Sequence, residues 1–259
     1  MKIAIVSDRV YPYFKGGAEK RSWDIAQKLI NKGHKITYFC GQWKGMKKQE
    51  KIDNINLIGT YNVKNFYING KKSIKESIKY SISIILPLLK EDYDIIDADQ
   101  MPLMHIIPAK LASIIKGKPL YATWHEAWGK EYWQSYLGKY KGYIGYLIEK
   151  LASKLPDKII SVSPTTTEGL INKLNVDRNK IVTIPNGIDI NKINSVKASK
   201  EKSDIIFAGR LLSHKNIDLL INSIKILKER NKRIKCIIVG DGPEKDKLLS
   251  LSKSLVLSN

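Results

Sequence analysis

The sequence predicts an α/β protein in which parallel sheets are covered by helices. Short apolar segments suited to buried strands alternate with longer segments whose apolar residues recur every three or four positions, as on one helix face. This alternation is typical of a doubly wound sheet. The pattern runs for about 190 residues, is interrupted by a polar segment and then begins again. Two domains of the same general class are therefore predicted.

The first predicted domain spans residues 1–194. Its predicted strands are Lys2–Ser7, Lys35–Cys40, Asp94–Asp97, Pro119–Thr123, Lys158–Val162 and Lys180–Ile184. The helix after the first strand has apolar residues at Ala18, Ile25, Ala26, Leu29 and Ile30, and its pattern ends at Gly33. The other strands are separated by further helical segments.

A linker is predicted at 195–202, where the chain is polar and rich in lysine. The second domain, 203–259, begins with strand Asp204–Ala208 and continues through a helix, strand Lys235–Val239 and a helix after Pro243. Two strand-helix units leave the edges of a parallel sheet uncovered. We therefore expect the second domain to be incomplete in this chain and marginally stable on its own.

Composition narrows the class of protein. The chain has 259 residues, of which 43% are hydrophobic, which is typical of a globular protein. No apolar run approaches the roughly 20 residues that span a bilayer, and the opening segment is too short for a signal peptide. A cytoplasmic location is predicted. The cysteines, Cys40 and Cys236, lie in different halves and give no support to a disulfide or a metal site.

The formal net charge of +20 has several interpretations. Lysines are scattered over nearly every helix and loop rather than gathered beside stacking aromatics, which argues against nucleic-acid binding. Much of the excess follows from a general bias toward Lys, Ile and Asn. Attraction to an anionic membrane surface or to phosphorylated substrates is the remaining interpretation.

Paired glycines follow the first strand. Gly16 and Gly17 open a helix, where backbone N–H groups can approach an anion. The dinucleotide fingerprint GxGxxG is absent. The alternative is a turn that needs glycine for a positive φ.

Three further loops follow predicted strands. They are Pro185-Asn186-Gly187-Ile188-Asp189, Gly209-Arg210-Leu211-Leu212-Ser213-His214-Lys215 and Val239-Gly240-Asp241-Gly242-Pro243. Open α/β sheets bind ligands at the carboxyl ends of strands. Arg210 and Lys215 could both reach one diphosphate, although a solvated loop with two cations explains that segment equally well when it is taken alone. For the first of the three loops an ordinary turn is the default, because Asn-Gly is a strong turn former.

Together with His125-Glu126 after a strand of the first domain, these motifs occur in an order that resembles the nucleotide-sugar-dependent glycosyltransferases of family 4. The resemblance covers the whole chain. It implies a GT-B-like fold of two Rossmann-like domains with parallel sheets, the second incomplete here, and transfer of a hexose with retention of anomeric configuration.

The resemblance also implies roles for single residues. Arg210 and Lys215 would bind the donor diphosphate with Gly16 and Gly17, and His125 would be the catalytic residue that approaches the donor sugar. Residues of the donor or acceptor cleft would be Glu126, Asn186, Gly187 and Gly240. No metal and no cofactor are implied beyond a UDP- or GDP-linked sugar. For His125 alone, a hydrogen-bonded histidine at a strand end is the alternative.

One departure from the family pattern affects function. The family's donor domain continues to a motif of two glutamates spaced eight apart, and no counterpart occurs before Asn259. The alternatives to an active enzyme are an inactive remnant and one half of a split transferase completed by a second chain. If the chain ends there natively, we expect it to transfer no sugar alone. A nucleotide-binding protein without chemistry is a further alternative.

Two segments bear on the acceptor, for which a glycan or a lipid-linked glycan is expected. Segment 71–90 carries an apolar stripe beside lysines and reads either as a basic amphipathic helix on the inner membrane face or as a helix packed on its own sheet. Segment 124–146 holds three of the five tryptophans and five of the thirteen tyrosines. These aromatics would stack on sugar rings, lie at a lipid interface or pack inward.

Overall fold

The chain divides into two compact units. A computed structural model describes residues 1–68, 71–230 and 233–257, and its contacts separate unit 1, Met1–Ile188, from unit 2, Asp189–Asn259. This division falls six residues before the predicted domain end at 194. Residues 184–202 are all exposed, and Asp189 caps a short helix by accepting a hydrogen bond from the backbone of Lys192 at 3.0 Å.

Unit 1 contains ten strands and seven α-helices among the described residues. The strands are β1 Lys2–Val6, β2 Lys35–Gln42, β3 Gln49–Ile52, β4 Ile55–Asn62, β5 Tyr67–Ile68, β6 Lys71–Lys72, β7 Ile95–Asp99, β8 Leu120–Trp124, β9 Lys158–Ser161 and β10 Ile181–Thr183. The helices are α1 Gly17–Asn31, α2 Ile74–Ser83, α3 Ile85–Lys90, α4 Ile106–Lys116, α5 Gly129–Leu137, α6 Lys139–Ala152 and α7 Pro164–Leu174.

The main sheet has eight strands in the order β10-β9-β8-β7-β1-β2-β4-β3. Every neighbouring pair is parallel except β3 and β4. The predicted mostly parallel α/β sheet is thus confirmed. After β1 the chain moves outward through β2 in one direction and later through β7 in the other. The boundary between β1 and β7 is therefore the topological switch point, where such sheets bind ligands.

Alternating side chains of the strands feed two cores on opposite faces of the sheet. Ile5 lies in one core with Trp23 and Ala26 of α1. Ala4 and Val6 lie in the other, which is built from α2 to α7. The helices on this larger face hold the carboxyl ends of β7 and β8 in place.

An antiparallel hairpin formed by β3 and β4 was missing from the sequence prediction. Asp53 and Asn54 connect the two strands, and both have positive φ, 49° and 65°, as a two-residue type I′ turn requires. β3 carries charged residues and β4 is only half buried. Their apolar signal is weak for this reason, but the Asp-Asn pair was a usable signal.

The segment 71–90 is not one helix. Lys71 and Lys72 form β6, and the helical part is divided into α2 and α3 at Ile84. Four large apolar side chains of the stripe are exposed, among them Ile82 at 64% and Leu86 at 66%, whereas Leu89 packs against the larger core. The prediction that this stripe packs on its own sheet is wrong for Ile74, Ile78, Ile82 and Leu86.

Unit 2 consists of α8 Ile190–Asn194, β11 Ile205–Ala208, α9 Ile217–Glu229, β12 Cys236–Val239 and α10 Lys245–Ser254. β11 and β12 pair in parallel, as predicted. Its buried core consists of Leu211, Ile217, Ile221 and Leu248. Ile206 and Val239, one on each strand, are exposed, and the register of β11 with β12 places both on the same face. That face of the small sheet is uncovered in the described part of unit 2.

Candidate active site

The carboxyl ends of β1, β7 and β8 bring several polar side chains together. His125 follows β8, Asp99 ends β7, and Ser7 follows β1. His125 Nε2 lies 3.2 Å from Asp99 Oδ1, and Ser7 Oγ donates to the other oxygen of Asp99 at 3.3 Å. The predicted catalytic histidine therefore has an acidic partner at the topological switch point.

Asp99 remains ionised in this setting. Burial raises its pKa, but the hydrogen bond and charge of His125, together with the charge of Arg9, outweigh burial and lower the pKa to about 2. An ionised carboxylate only accepts hydrogen bonds, so the tautomer of His125 that carries an N–H at Nε2 is the one that suits this contact. Nδ1 is then left as an acceptor for a hydroxyl group.

The backbone of His125 is fixed by side chains from two other elements. Gln100 Oε1 accepts from the N–H groups of His125 and Glu126 at 2.9 and 3.1 Å, and its Nε2 donates to the carbonyl of Glu126 at 2.5 Å. Thr166 Oγ1 of α7 donates to the carbonyl of His125 at 3.0 Å. The peptide groups on both sides of the imidazole are therefore held in one position.

A network of buried charges adjoins this pair. Arg9 Nε lies 2.8 Å from Glu19 Oε1 and 3.6 Å from Asp8 Oδ1. Lys72 Nζ of β6 lies 2.5 Å from Asp8 Oδ2. Burial lowers the pKa of Lys72, against the opposing charge of Asp8. Burial acts in the same direction on Arg9, but Asp8 and Glu19 raise its pKa above the usual value. Carboxylates thus neutralise most of the charge of Lys72 and Arg9 within this compact cluster.

Gly16 and Gly17 lie at the start of α1, as predicted. Gly16 has an extended backbone with φ −147°, and neither glycine has a positive φ. The alternative that these glycines serve a left-handed turn is therefore wrong. A Cβ on Gly16 would lie 2.1 Å from Glu19 Oε2, whereas one on Gly17 would meet no atom within 4 Å. Neither conformation nor packing within the described residues explains Gly17.

His105 is a buried histidine that the sequence did not single out. It is fully buried at the start of α4, and neither ring nitrogen has a hydrogen-bond partner among the described residues. Burial lowers its pKa to about 4, so the ring is neutral at pH 7. Its ring centroid lies 5.7 Å from that of Tyr80.

Asn186 and Gly187 lie in the exposed segment after β10, where the backbone forms no turn. Neither residue has a positive φ, and a Cβ on Gly187 would meet no atom within 4 Å. Glu126 is also exposed and accepts a hydrogen bond from Trp128 Nε1 at 2.7 Å. Its side chain is thus turned toward the aromatic segment.

In unit 2, Arg210 and Lys215 follow β11 and are exposed. Neither side chain forms a hydrogen bond or an ion pair with the rest of the described residues. Gly240 has a packing role, because a Cβ there would lie 1.9 Å from the carbonyl oxygen of Gly209. The Leu211 N–H donates to the Asp241 carbonyl at 2.9 Å. Two strand-end loops are thus joined, which fixes the backbone that carries Arg210.

Sequence reasoning missed several residues of the unit 1 cluster. They are Asp8, Arg9, Lys72, Asp99 and Gln100. Asp8 and Asp99 follow or end apolar strands, and polar residues at that position are a usable signal in a doubly wound sheet. Lys72 lies far away in the sequence and offers no comparable signal. In the described part of the chain, no group of three His, Cys, Asp or Glu side chains is placed to hold a metal ion.

The fold is that of a GT-B glycosyltransferase. The chain belongs to Glycosyltransferase Family 4, whose family profile matches residues 15–192. The profile described as Glycosyl transferases group 1 matches residues 189–259.

Curated relatives agree with this family. An uncharacterized glycosyltransferase of Methanocaldococcus jannaschii is 26% identical over 98% of this chain and 67% of its own length. One human subunit of phosphatidylinositol N-acetylglucosaminyltransferase is 26% identical over 94% of this chain and 48% of its own length. The GPI3 subunit of the same enzyme in Saccharomyces cerevisiae is 24% identical over 93% and 53%. The chain thus spans about half the length of these transferase subunits.

Solved structures share the fold. Sucrose-phosphate synthase of Thermosynechococcus elongatus superposes with a TM-score of 0.76 at 15% identity, over 99% of this chain and 68% of its own. Anabaena HepE in complex with UDP-glucose superposes with a TM-score of 0.69 at 20% identity, over 100% and 67%.

Proposed function

We propose that this chain carries the acceptor domain and part of the donor domain of a retaining transferase that moves a hexose from a nucleotide-sugar to a glycan or lipid-linked acceptor. The observation that carries the proposal is the pair of His125 and ionised Asp99 at the switch point of the sheet, with Gln100 and Thr166 holding the backbone. Nδ1 of His125 would accept a hydrogen bond from a hydroxyl of the donor sugar. Retention follows from the family resemblance.

For the donor phosphates, we propose Gly17 with Gly16 in unit 1 and Arg210 with Lys215 in unit 2. Gly17 is free of any conformational or packing constraint that would require glycine, which leaves room for a ligand at the start of α1. Arg210 and Lys215 have no carboxylate partner among the described residues, so both cations are available. Fixed cations stabilise the charge that grows on the diphosphate as the glycosidic bond breaks.

A UDP-linked sugar is the first donor to test, because HepE, which shares the fold, was solved in complexes with UDP and with UDP-glucose. GDP-linked sugars are the alternative. Titration of the chain with UDP and GDP, followed by calorimetry, would distinguish them. Arg210→Ala and Lys215→Ala should each weaken binding about tenfold, since a hydrogen bond to a charged group contributes about 1.5–3 kcal/mol. Equal binding by both variants and the unmodified chain would contradict the diphosphate role.

The enzyme test uses two variants of the proposed pair. Both variants are measured in the native assembly, with any complementing chain present. His125→Ala and Asp99→Asn should leave nucleotide affinity unchanged and should each lower the rate of sugar release from the donor by about tenfold or more, because each removes a contact that holds the sugar or orients the ring. A matched control is Asp92→Asn, an exposed carboxylate at the other end of the sheet. Nucleotide binding without any sugar transfer would favour a binding protein without chemistry.

The acceptor is proposed to be lipid-linked and reached at the inner face of a membrane. Ile74, Ile78, Ile82 and Leu86 project from α2 and α3 as exposed apolar side chains. α4, which contacts both helices, adds a second exposed apolar group at Ile107, Leu111, Ile114 and Ile115. Lysines border these faces, and the net charge of +20 favours an anionic surface. Relatives named for phosphatidylinositol as acceptor support the same class. No helix among the described residues is long and apolar enough to cross a bilayer.

Sedimentation with vesicles of phosphatidylcholine and phosphatidylglycerol at low salt tests the membrane proposal. Ile82→Ser combined with Leu86→Ser should reduce binding at least tenfold, since burying each side chain contributes about 1 kcal/mol or more. The control is Leu219→Ser, an exposed leucine in unit 2. Equal sedimentation of both variants, or no binding at low salt, would contradict the proposal.

A complementing chain is proposed as a partner. Relatives that are named subunits support an assembly of several polypeptides. Purification of the native protein under gentle conditions, with intact masses measured for every chain, tests this. Sugar transfer by the purified chain without any partner would remove the need for one.

A further inference from the structure

A groove of about 760 Å³ lies beside the first turn of α5, within the size range of pockets that bind small ligands, about 300–1,000 Å³. Its wall begins at Glu126, the residue after His125. The residues that matter for recognition are Glu126, Trp128, Glu131, Tyr132, Tyr146 and Lys173. The groove is thus lined by the stretch of chain that follows the proposed catalytic histidine, although His125 itself does not line it.

The wall of the groove is rigid without a ligand. Glu149 is fully buried and its carboxylate accepts hydrogen bonds from Trp128 N at 3.0 Å, Gly129 N at 3.0 Å and Trp133 Nε1 at 2.8 Å. Gly129 has a φ of +73°, which only glycine adopts readily. Two of these bonds hold the backbone of Trp128 and Gly129 at the start of α5, and the third holds the ring of Trp133. Little ordering of this segment would remain when a ligand binds.

The surface chemistry of the groove suits an uncharged polyol ring. Trp128 and Tyr132 form a pair with centroids 4.5 Å apart, and Tyr136 lies 5.5 Å from Trp128. Aromatic faces stack on the C–H face of a sugar ring. Around them stand two carboxylates, Glu126 and Glu131, and two ammonium groups, Lys130 and Lys173, so acceptors and donors for hydroxyl groups are both present and the charges balance.

We propose that this groove binds an uncharged six-membered polyol ring of the acceptor, either a pyranose or an inositol, by stacking on Trp128 and Tyr132. The role of the groove as an acceptor subsite rests on the proposed transferase function. The binding of a ring in the groove does not depend on that function.

Two other occupants fit the groove less well. A phosphate would face the carboxylates of Glu126 and Glu131 at close range, which is unfavourable. A lipid chain would take the same carboxylates out of water, and the hydrogen bond from Trp128 Nε1 to Glu126 would not replace their hydration, which is unfavourable. The aromatic residues suited to a lipid surface lie elsewhere, on α6, where Tyr140 is 81% exposed and Tyr143 and Ile144 are also exposed. The ring and the membrane would thus use different parts of segment 124–146.

Saturation-transfer NMR on the full chain tests the proposal, with methyl β-D-glucopyranoside, methyl α-D-mannopyranoside and myo-inositol as probes. We expect millimolar binding of at least one probe, with the strongest transfer to the protons of one ring face. Transfer to the pyranosides or to inositol identifies which ring the groove takes. Glucose 6-phosphate and octyl β-glucoside serve as phosphate and alkyl probes.

Tyr132→Ala, at a half-exposed position, should weaken binding at least fivefold, and Trp128→Ala should weaken it further. Tyr140→Ala, outside the groove, is the matched control and should change binding less than twofold. Transfer to none of the three rings, transfer confined to the octyl chain, or equal binding by Tyr132→Ala and the control would overturn the proposal. UDP titration of the same variants separates the two claims. Ring binding without UDP binding would support the ring-binding groove and contradict the donor site on which the transferase function rests. UDP binding without ring binding would support the donor site and contradict the groove.

Discussion

Glu149→Gln is the substitution whose effect can be worked out most directly from the structure. The carboxylate is fully buried and accepts three N–H groups, two from the backbone at Trp128 and Gly129 and one from the ring of Trp133. Burial raises its pKa, and the three donors oppose that shift. A glutamine has nearly the same shape, so the change removes charge and one acceptor without creating a cavity.

The expected loss of stability is about 2–4 kcal/mol. In the best orientation the glutamine oxygen keeps the two bonds now made by Oε2, to Gly129 and Trp133. Its NH₂ group then faces the N–H of Trp128, which is left unsatisfied at a cost of about 1–3 kcal/mol. The two remaining bonds lose their charge assistance, about 1 kcal/mol each. Relief from burying a charge offsets part of this sum.

Tryptophan fluorescence during urea unfolding is a suitable assay, because all five tryptophans, at positions 23, 43, 124, 128 and 133, lie in unit 1. The signal therefore reports this unit even though the whole chain has two units and need not unfold in one step. Glu131→Gln, an exposed carboxylate on the neighbouring helix α5, is the control and should change stability by less than about 0.5 kcal/mol. A midpoint for Glu149→Gln that matches the control would refute the assigned role of the three bonds.

Three further outcomes follow from other parts of the structure. Burial raises the pKa of Asp97 from 3.8 to about 6, so the native state binds the proton more tightly than the unfolded state. The stability of the unmodified chain relative to Asp97→Asn should therefore fall by up to about 3 kcal/mol as the pH rises from 3.5 to 6.5. A stability difference that does not change with pH in urea unfolding would contradict this prediction. Gly142→Ala should destabilise unit 1 by about 1–3 kcal/mol, because a Cβ there would lie 2.3 Å from the carbonyl oxygen of Trp133, while the exposed control Lys141→Ala should change little in the same assay. The fragment 203–259 alone should show no cooperative thermal transition by circular dichroism, since its sheet has two strands and one uncovered face; a sharp transition would refute the prediction.

The alternation of apolar segments in the sequence was sufficient to predict most of the fold. All eight strands predicted from the sequence are present, with ends that differ by at most two residues, because each is a parallel strand made largely of consecutive apolar residues. β3 and β4 differ in this respect. They lie at the edge of the sheet, where one face is solvated and charged residues are tolerated, so the hydrophobic signal that identified the other strands is weak there.

The site was only partly predictable. His125 was found through the order of motifs, but the residue that orients its ring, Asp99, lies 26 positions earlier and meets it only because β7 and β8 are neighbours in the sheet. Gln100, which fixes the backbone on both sides of the imidazole, is close for the same reason. Register between strands determines these contacts, and no local pattern in the sequence encodes that register.

The apolar stripe on α2 and α3 shows a different limit. A periodicity of three or four residues identifies one helix face, and the usual assumption is that this face is the buried one. On α2 the buried face instead carries Ser77, Tyr80 and Ser81, whose hydroxyl groups are all satisfied: Tyr80 donates to the carbonyl of Phe39 at 2.8 Å, and the two serines donate to carbonyls one turn earlier. Small hydroxyl residues bring the helix close to the sheet without leaving an unpaired polar atom, so burial of that face costs little. The isoleucines are then free to face outward, where only an external apolar surface can remove them from water. This is why the vesicle experiment, rather than another stability measurement, decides what the stripe does.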